Sequence, residues 1–265
     1  MKIQNLFNIE NKTAVVTGGS RGIGEMIAAG YLANGVKVYM TSRKAPALIE
    51  KARELSGKFN NECIPIPCDI STIDGIEEFV SAVSEKEDSI DFLVNNAGAA
   101  WGEPYESFTE GGWDKVMNLN VKSIFFLTQK MKTLLTAKAT LEDPSRVINI
   151  GSIDGLNVPA FETYSYSTSK AAVHHLTRVM AAKLVKENIL VNAIAPGPYP
   201  SAMLGSAVNS DYSIIAKNNP RKRVGTPEDI AGLTIFLSSR AGAYTVGETI
   251  TSDGGIVKTT GHNLS

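Results

Sequence analysis

The chain has 265 residues, a formal net charge of −1, and a composition that is 43% hydrophobic and 20% charged. That length suits one α/β domain with a sizeable core, and the balanced charge offers no attraction for nucleic acid or an anionic membrane surface. The opening MKIQNLFNIENK carries neither a long apolar run nor a small-residue cleavage site, and no stretch approaches the ~18 apolar residues of a membrane span, so a cytoplasmic protein is expected.

Apolar runs rich in β-branched residues predict strands at 12–17, 36–41, 62–67, 90–95, 146–151, 189–195 and 248–252. Helical patterns lie between them, near 22–34, 45–57, 73–87, 112–138, 165–187 and 227–239. The strands are continuously apolar rather than alternating, as strands covered on both faces are. Strand–helix alternation means parallel crossovers, so the expected fold is α/β: a single Rossmann-like, doubly wound sheet of about seven strands over residues 1–265. Two irregular segments, 98–111 and 196–226, follow strand ends, where ligands bind in such sheets. The second is long enough for a substrate loop, taken as about 197–226. Cys63 and Cys68 fall on opposite faces of one predicted strand, so no local disulfide is expected. His174 and His175 are expected in packing or surface roles, with no metal.

The first predicted strand runs into Thr17-Gly18-Gly19-Ser20-Arg21-Gly22-Ile23-Gly24 and a helix. A strand, a glycine-rich turn and a helix N-terminus make an anion site for a pyrophosphate, assigning Gly18, Ser20, Arg21, Gly22, Ile23 and Gly24 to a dinucleotide. The second strand ends in Thr41-Ser42-Arg43-Lys44, without the carboxylate that would bind a ribose 2′-hydroxyl. A 2′-phosphate suits Ser42, Arg43 and Arg21, so NADP(H) is expected over NAD(H); the competing reading is a basic start to a surface helix. Asp69, followed by Ile70, is placed either to accept from an adenine amino group or to cap the helix starting near Ser71. At the fourth strand end Asn96, Ala97 and Gly98 either admit a flat ring or simply turn the chain.

Tyr166 and Lys170 are four residues apart on a predicted helix and share a face. A cation about 4 Å from the phenol, at an effective dielectric of about 20, favours phenolate by about 4 kcal/mol, roughly three pKa units. Burial opposes this, so a smaller net lowering is expected, suited to proton exchange with a substrate oxygen. Ser152, at the carboxyl edge of the fifth strand, is placed to donate to a substrate carbonyl, and Asn120 to bridge Lys170 to water.

With TGGSRGIG at 17–24, NNAG at 95–98, YSTSK at 166–170 and SDGG at 252–255, the chain resembles the short-chain dehydrogenase/reductase family from about Asn11 to Gly255. The resemblance implies a catalytic tetrad of Asn120, Ser152, Tyr166 and Lys170. Tyr166 is then the acid/base, Lys170 also binds the nicotinamide ribose, and Asn120 holds a relay water. It also implies that Pro196 and Gly197 turn beside the nicotinamide, and that Ser201 stands where the family often has a threonine that contacts the carboxamide. INIGSIDG, PGPYPSAM and GTPEDIAGL are similar to 3-oxoacyl-acyl-carrier-protein reductases, notably the branch linked to rhamnolipid precursors. Implied partners are a carbonyl or alcohol substrate, carried on acyl carrier protein or coenzyme A, and further copies in a homotetramer or dimer. The basic run Arg221, Lys222, Arg223 suits an acidic carrier or a solvated surface. A sugar or polyol substrate keeps the same mechanism, and a non-catalytic dinucleotide sensor is the reading from another class.

Overall fold

A computed structural model describes residues 2–159, 161–207 and 211–259. Seven strands, β1 (Thr13–Thr17), β2 (Lys37–Thr41), β3 (Cys63–Pro65), β4 (Phe92–Asn95), β5 (Ser145–Ile150), β6 (Ile189–Pro196) and β7 (Thr249–Ser252), form one sheet. Their order is β3-β2-β1-β4-β5-β6-β7 and every neighbouring pair is parallel. The order reverses between β1 and β4, which opens a crevice at their carboxyl ends.

The helices are α1 (Ile3–Phe7), α2 (Gly22–Ala33), α3 (Ala45–Phe59), α4 (Ile73–Ser84), α5 (Glu110–Met117), α6 (Ser123–Thr136), α7 (Tyr164–Leu184), α8 (Ala202–Ala207), α9 (Ser213–Asn218), α10 (Pro227–Ser238) and α11 (Ile256–Thr259). Period-two alternation sends Ala14 and Val16 into one core with Ile27 of α2, Leu48 of α3 and Leu237 of α10. It sends Val15 into the other, with Phe79 of α4, Leu127 of α6 and Met180 of α7. Each fully buried side chain of this kind contributes about 1.5–3 kcal/mol. Both faces are covered, which is why the strands read as unbroken apolar runs.

Several boundaries differ from the sequence pattern for physical reasons. β3 is shorter than 62–67, because Pro65 and Pro67 have no N–H to continue the ladder. Cys68 therefore lies beyond the strand rather than within it, and both cysteines are free. The helix expected over 112–138 is interrupted by a π turn at Asn118–Lys122 that separates α5 from α6. The segment read as irregular after β6 contains α8 and α9, while 208–210 within it lie outside the described residues.

Candidate active site

A cleft of about 1320 Å³ crosses the carboxyl ends of the strands. At one end the β1–α2 turn is held by its neighbours. Gly18 and Gly22 have φ of +66° and +58°, a left-handed conformation that glycine adopts without strain. Thr17 Oγ1 accepts from the backbone N–H groups of Asn96 and Ala97, each at 2.9 Å. The Asn96 amide donates to Thr17 O (2.8 Å) and Gly18 O (3.3 Å), so it locks the turn to the end of β4. A Cβ on Gly24 would collide with that amide and with the Gly18 carbonyl. Gly18, Ser20, Arg21, Gly22 and Ile23 line the cleft, whereas Gly24 sits behind it as a close-packing position.

Next to the turn, the end of β2 leaves Thr41 Oγ1 and Ser42 Oγ buried with no hydrogen-bond partner among the described residues. Arg43, Lys44 and Arg21 line the same wall. Orphaned hydroxyls among cations fit a phosphate on the adenosine ribose. Arg43 Nη1 stands 3.9 Å from Asp69 Oδ2, but both side chains are well exposed, so this pair is weak. Asp69 Oδ1 accepts from Ser71 N (3.0 Å) and Ser71 Oγ (2.6 Å). The cap of α4 is Thr72, which accepts from Gly75 N; Asp69 is thus not the cap, and it lines the cleft with Ile70, Ala97 and Gly98.

At the other end Ser152, Tyr166 and Lys170 line the cleft together with Pro196, Gly197 and Ser201. Ser152 follows β5, and its Oγ accepts from Asp154 N at 3.1 Å. Lys170, only 5% exposed, donates from Nζ to Ile150 O at 2.8 Å and lies 5.5 Å from the centre of the Tyr166 ring. Burial brings the Lys170 ammonium down to about 8, with the Asp154 charge opposing. Burial also pushes the Tyr166 phenol up to about 12; a hydrogen bond with Ser152 pulls it down and the Asp154 charge adds to the rise. This reverses the lowering expected from helical spacing. The ammonium is turned toward the Ile150 carbonyl and the desolvation of a buried phenolate outweighs it. Tyr166 is held as a proton donor.

Asn120 is fully buried in the π turn and does not line the cleft. Its Oδ1 accepts from Ala99 N (2.8 Å), and its Nδ2 donates to Ala99 O (2.9 Å) and Ser169 Oγ (2.9 Å). A Cβ at Gly98 would lie 3.3 Å from Asn120 Oδ1 and 3.7 Å from Lys170 Nζ, so the two groups converge on one glycine. Ser201 Oγ accepts from Leu204 N at the start of α8, and Ser201 lies against Gly22.

Asp154, Pro159 and Phe161 line the wall outside the segments the sequence singles out, while Tyr199, Leu204 and Ile215 fall in the expected substrate loop without being distinguished there. Tyr199 shares a 2.5 Å hydrogen bond with Ser252, fixing the base of the loop after β6 to the C-terminal segment. Only Asp154 carried a signal, standing two residues beyond Ser152. Among the basic run, Arg223 closes a two-pronged ion pair on Asp229, which lowers that carboxyl far below its usual range.

Residues 18–257 match the family model described as enoyl-(acyl carrier protein) reductase. The rhamnolipids biosynthesis 3-oxoacyl-[acyl-carrier-protein] reductase of Pseudomonas aeruginosa is 44% identical over 94% of this chain and 97% of its own. The chain belongs to the short-chain dehydrogenase/reductase family. It is an oxidoreductase. The 2-dehydro-3-deoxy-D-gluconate 5-dehydrogenase of Escherichia coli is 36% identical over 96% of this chain and 98% of its own. Among solved structures, the Pseudomonas aeruginosa RhlG/NADP active-site complex superposes with a TM-score of 0.91 at 43% identity, covering 96% of this chain and 99% of that one. L-Sorbose reductase from Gluconobacter frateurii, complexed with NADPH and L-sorbose, gives 0.87 at 29% identity, covering 96% and 99%.

Proposed function

We propose that this oxidoreductase reduces the ketone of a 3-oxoacyl thioester to a secondary alcohol with NADPH, through Tyr166, Ser152, Lys170 and Asn120. The observation that carries the reading is one cleft with Thr41 and Ser42 hydroxyls, unpartnered among the described residues, beside cations at one end and Tyr166, Ser152 and Lys170 at the other. NADPH, when bound, supplies the hydride. The Gly18–Ile23 turn, Ser42 and Arg43 bind its phosphates; Asp69, Ile70, Asn96, Ala97 and Gly98 flank its adenosine; Pro196, Gly197 and Ser201 border its nicotinamide. The Ser152 hydroxyl, whose oxygen already accepts from Asp154 N, donates to the ketone oxygen. Tyr166, which burial keeps protonated at neutral pH, gives that oxygen a proton as it gains the negative charge of an alkoxide, a stronger base than the phenolate left behind. Lys170 stabilises the resulting phenolate, and Asn120 ties the Ala99 backbone to Ser169 behind the cleft.

An acyl tail is supported by the apolar wall of Pro159, Phe161, Leu204 and Ile215 and by the name of the 44% identical relative. Residues 197–226 serve as the substrate loop of a single catalytic domain. Acyl carrier protein is the carrier, met by the exposed Arg221 and Lys222. The enzyme is a homotetramer in the cytoplasm. Exposed Phe125 on α6 and Val179 on α7 support self-association, and two free cysteines suit a reducing compartment.

One observation favours a sugar or polyol ketone instead. Of the four carboxylates lining the cleft, Asp69, Glu103 and Glu162 accept hydrogen bonds from the chain, and Asp154 accepts none among the described residues. Burial raises the Asp154 carboxyl, with the Lys170 charge opposing. A substrate hydroxyl would satisfy it, whereas an acyl chain would leave it unpaired at a cost of about 1–3 kcal/mol. Initial rates with NADPH and NADH against acetoacetyl-CoA and L-sorbose decide between the two. NADPH oxidation with the thioester is expected. Activity confined to the sugar, and lost in Asp154→Asn, establishes the second reading.

A further inference from the structure

His174 lies outside the four residues assigned to chemistry, yet it follows Lys170 by four residues as Lys170 follows Tyr166. The three therefore share one face of α7. His174 is 3% exposed, and its ring is wedged beneath the turn that carries Ser152. A Cβ on Gly151 would collide with His174 Nε2, and a Cβ on Gly155 would stand 2.9 Å from Cε1. In the interior Nε2 accepts from Ser152 N at 3.4 Å, and the Gly155 backbone stands against the ring. Buried Nδ1 has no partner among the described residues. Burial, with the Lys170 charge adding and the Gly155 backbone opposing, holds the imidazole down to about 4, so the ring is neutral at neutral pH and Nε2, facing the Ser152 N–H, is the acceptor.

Packing alone does not call for an imidazole here. A buried ring with an unpaired nitrogen is less favourable than a leucine of similar size. A leucine, however, cannot accept the Ser152 N–H, itself buried where β5 ends and the ladder no longer supplies a carbonyl. Ser152 is thus held twice: its Oγ accepts from Asp154 N, and its own N–H reaches His174. The hydroxyl proton is left to the cleft side, where Tyr166 shares it.

We infer that His174 is a positioning residue for the reduction, aiming the Ser152 hydroxyl at the substrate carbonyl by accepting the Ser152 backbone N–H. The inference rests on the proposed contact between Ser152 and the substrate. Four proteins test it, wild type, His174→Leu, Ser152→Ala and the double variant, with His174→Gln as the acceptor-keeping control. Single-turnover rates are read with saturating NADPH and acetoacetyl-CoA, and NADPH Kd by fluorescence. His174→Leu is expected to slow turnover about tenfold, the loss of roughly one hydrogen bond, with NADPH Kd unchanged. His174→Gln recovers most of that rate, and His174→Leu costs nothing further once Ser152 is alanine. Equal losses in both backgrounds, or a glutamine variant no faster than leucine, overturn the inference and leave the proposed function intact. A Ser152→Ala enzyme at full rate removes the function reading and the inference with it. Should His174→Leu not fold, His174→Met repeats that arm. Independently of any variant or turnover, the Ser152 amide of the wild type is expected to exchange its hydrogen slowly; exchange at the rate of an open loop overturns the inference.

Discussion

The two ends of the cleft are built from different materials. The turn end is largely backbone, with two glycines at positive φ, a helix N-terminus and a turn tied to β4 through Thr17 and Asn96, and side chains enter mainly as the hydroxyls and cations after β2. The substrate end is side chain: Asp154, Phe161, Tyr199, Leu204 and Ile215 arrive from three separate segments and meet only in three dimensions. A backbone site tolerates few residue types at each position, so it leaves a trace in the chain. A wall of assorted side chains leaves almost none. On the proposed function, change at the first end is expected to alter how tightly the dinucleotide is held, and change at the second what is reduced and how fast.

The largest separation of the two ends is expected from Ser152→Ala. Loss of one carbonyl donor should lower kcat by about 10²–10³-fold, with NADPH Kd within about twofold of wild type in a fluorescence titration; parallel losses in both would merge the two ends. Arg43→Ala should do the reverse. NADPH affinity is expected to fall about tenfold, as for one exposed charge-assisted contact, while NADH affinity and kcat with saturating NADPH stay put. Equal weakening of both dinucleotides would show that Arg43 does not read a 2′-phosphate.

The smallest effect is in pH. Lys170 sits at about 8, so the reduction rate is expected to fall as pH rises through that value and the ammonium is lost. Tyr166, held near 12, adds no second fall below that. The same group acts on stability with a definite sign. Its folded pKa is below the unfolded 10.5, so the unfolded chain holds the proton more tightly, and stability from this group rises between about pH 8 and 10.5. A pH–rate profile beside a pH–Tm profile separates the two, and a reduction rate flat through pH 9 would detach Lys170 from the chemistry.

The seven strands, the parallel sheet and the turn at 17–24 were legible because continuous apolar runs and glycine spacing carry them. The π turn at Asn118–Lys122 was not, since one extra residue per turn leaves the apolar pattern on both sides looking like a single helix. Helices as short as α1, α8 and α9 fall below the length at which a 3.6-residue period can be counted. At the site, Tyr166 and Lys170 were readable from spacing, but the direction of the Tyr166 shift was not. It depends on how deeply the phenol is buried and on Lys170 turning to the Ile150 carbonyl. His174 looked like packing because nothing in its spacing reveals that Ser152 N–H is otherwise unsatisfied. Asp154 stands two residues beyond Ser152, but its lack of a hydrogen-bond donor among the described residues is a property of the assembled wall.

The proposed chemistry turns on one phenol. Stopped-flow single turnovers of Tyr166→Phe with saturating NADPH and acetoacetyl-CoA, beside an NADPH titration, test it most directly. Turnover should fall by about 10³-fold or more, the scale of a lost proton donor, with NADPH bound as in the wild type. A phenylalanine enzyme that reduced the ketone at close to the wild-type rate would contradict the assignment outright.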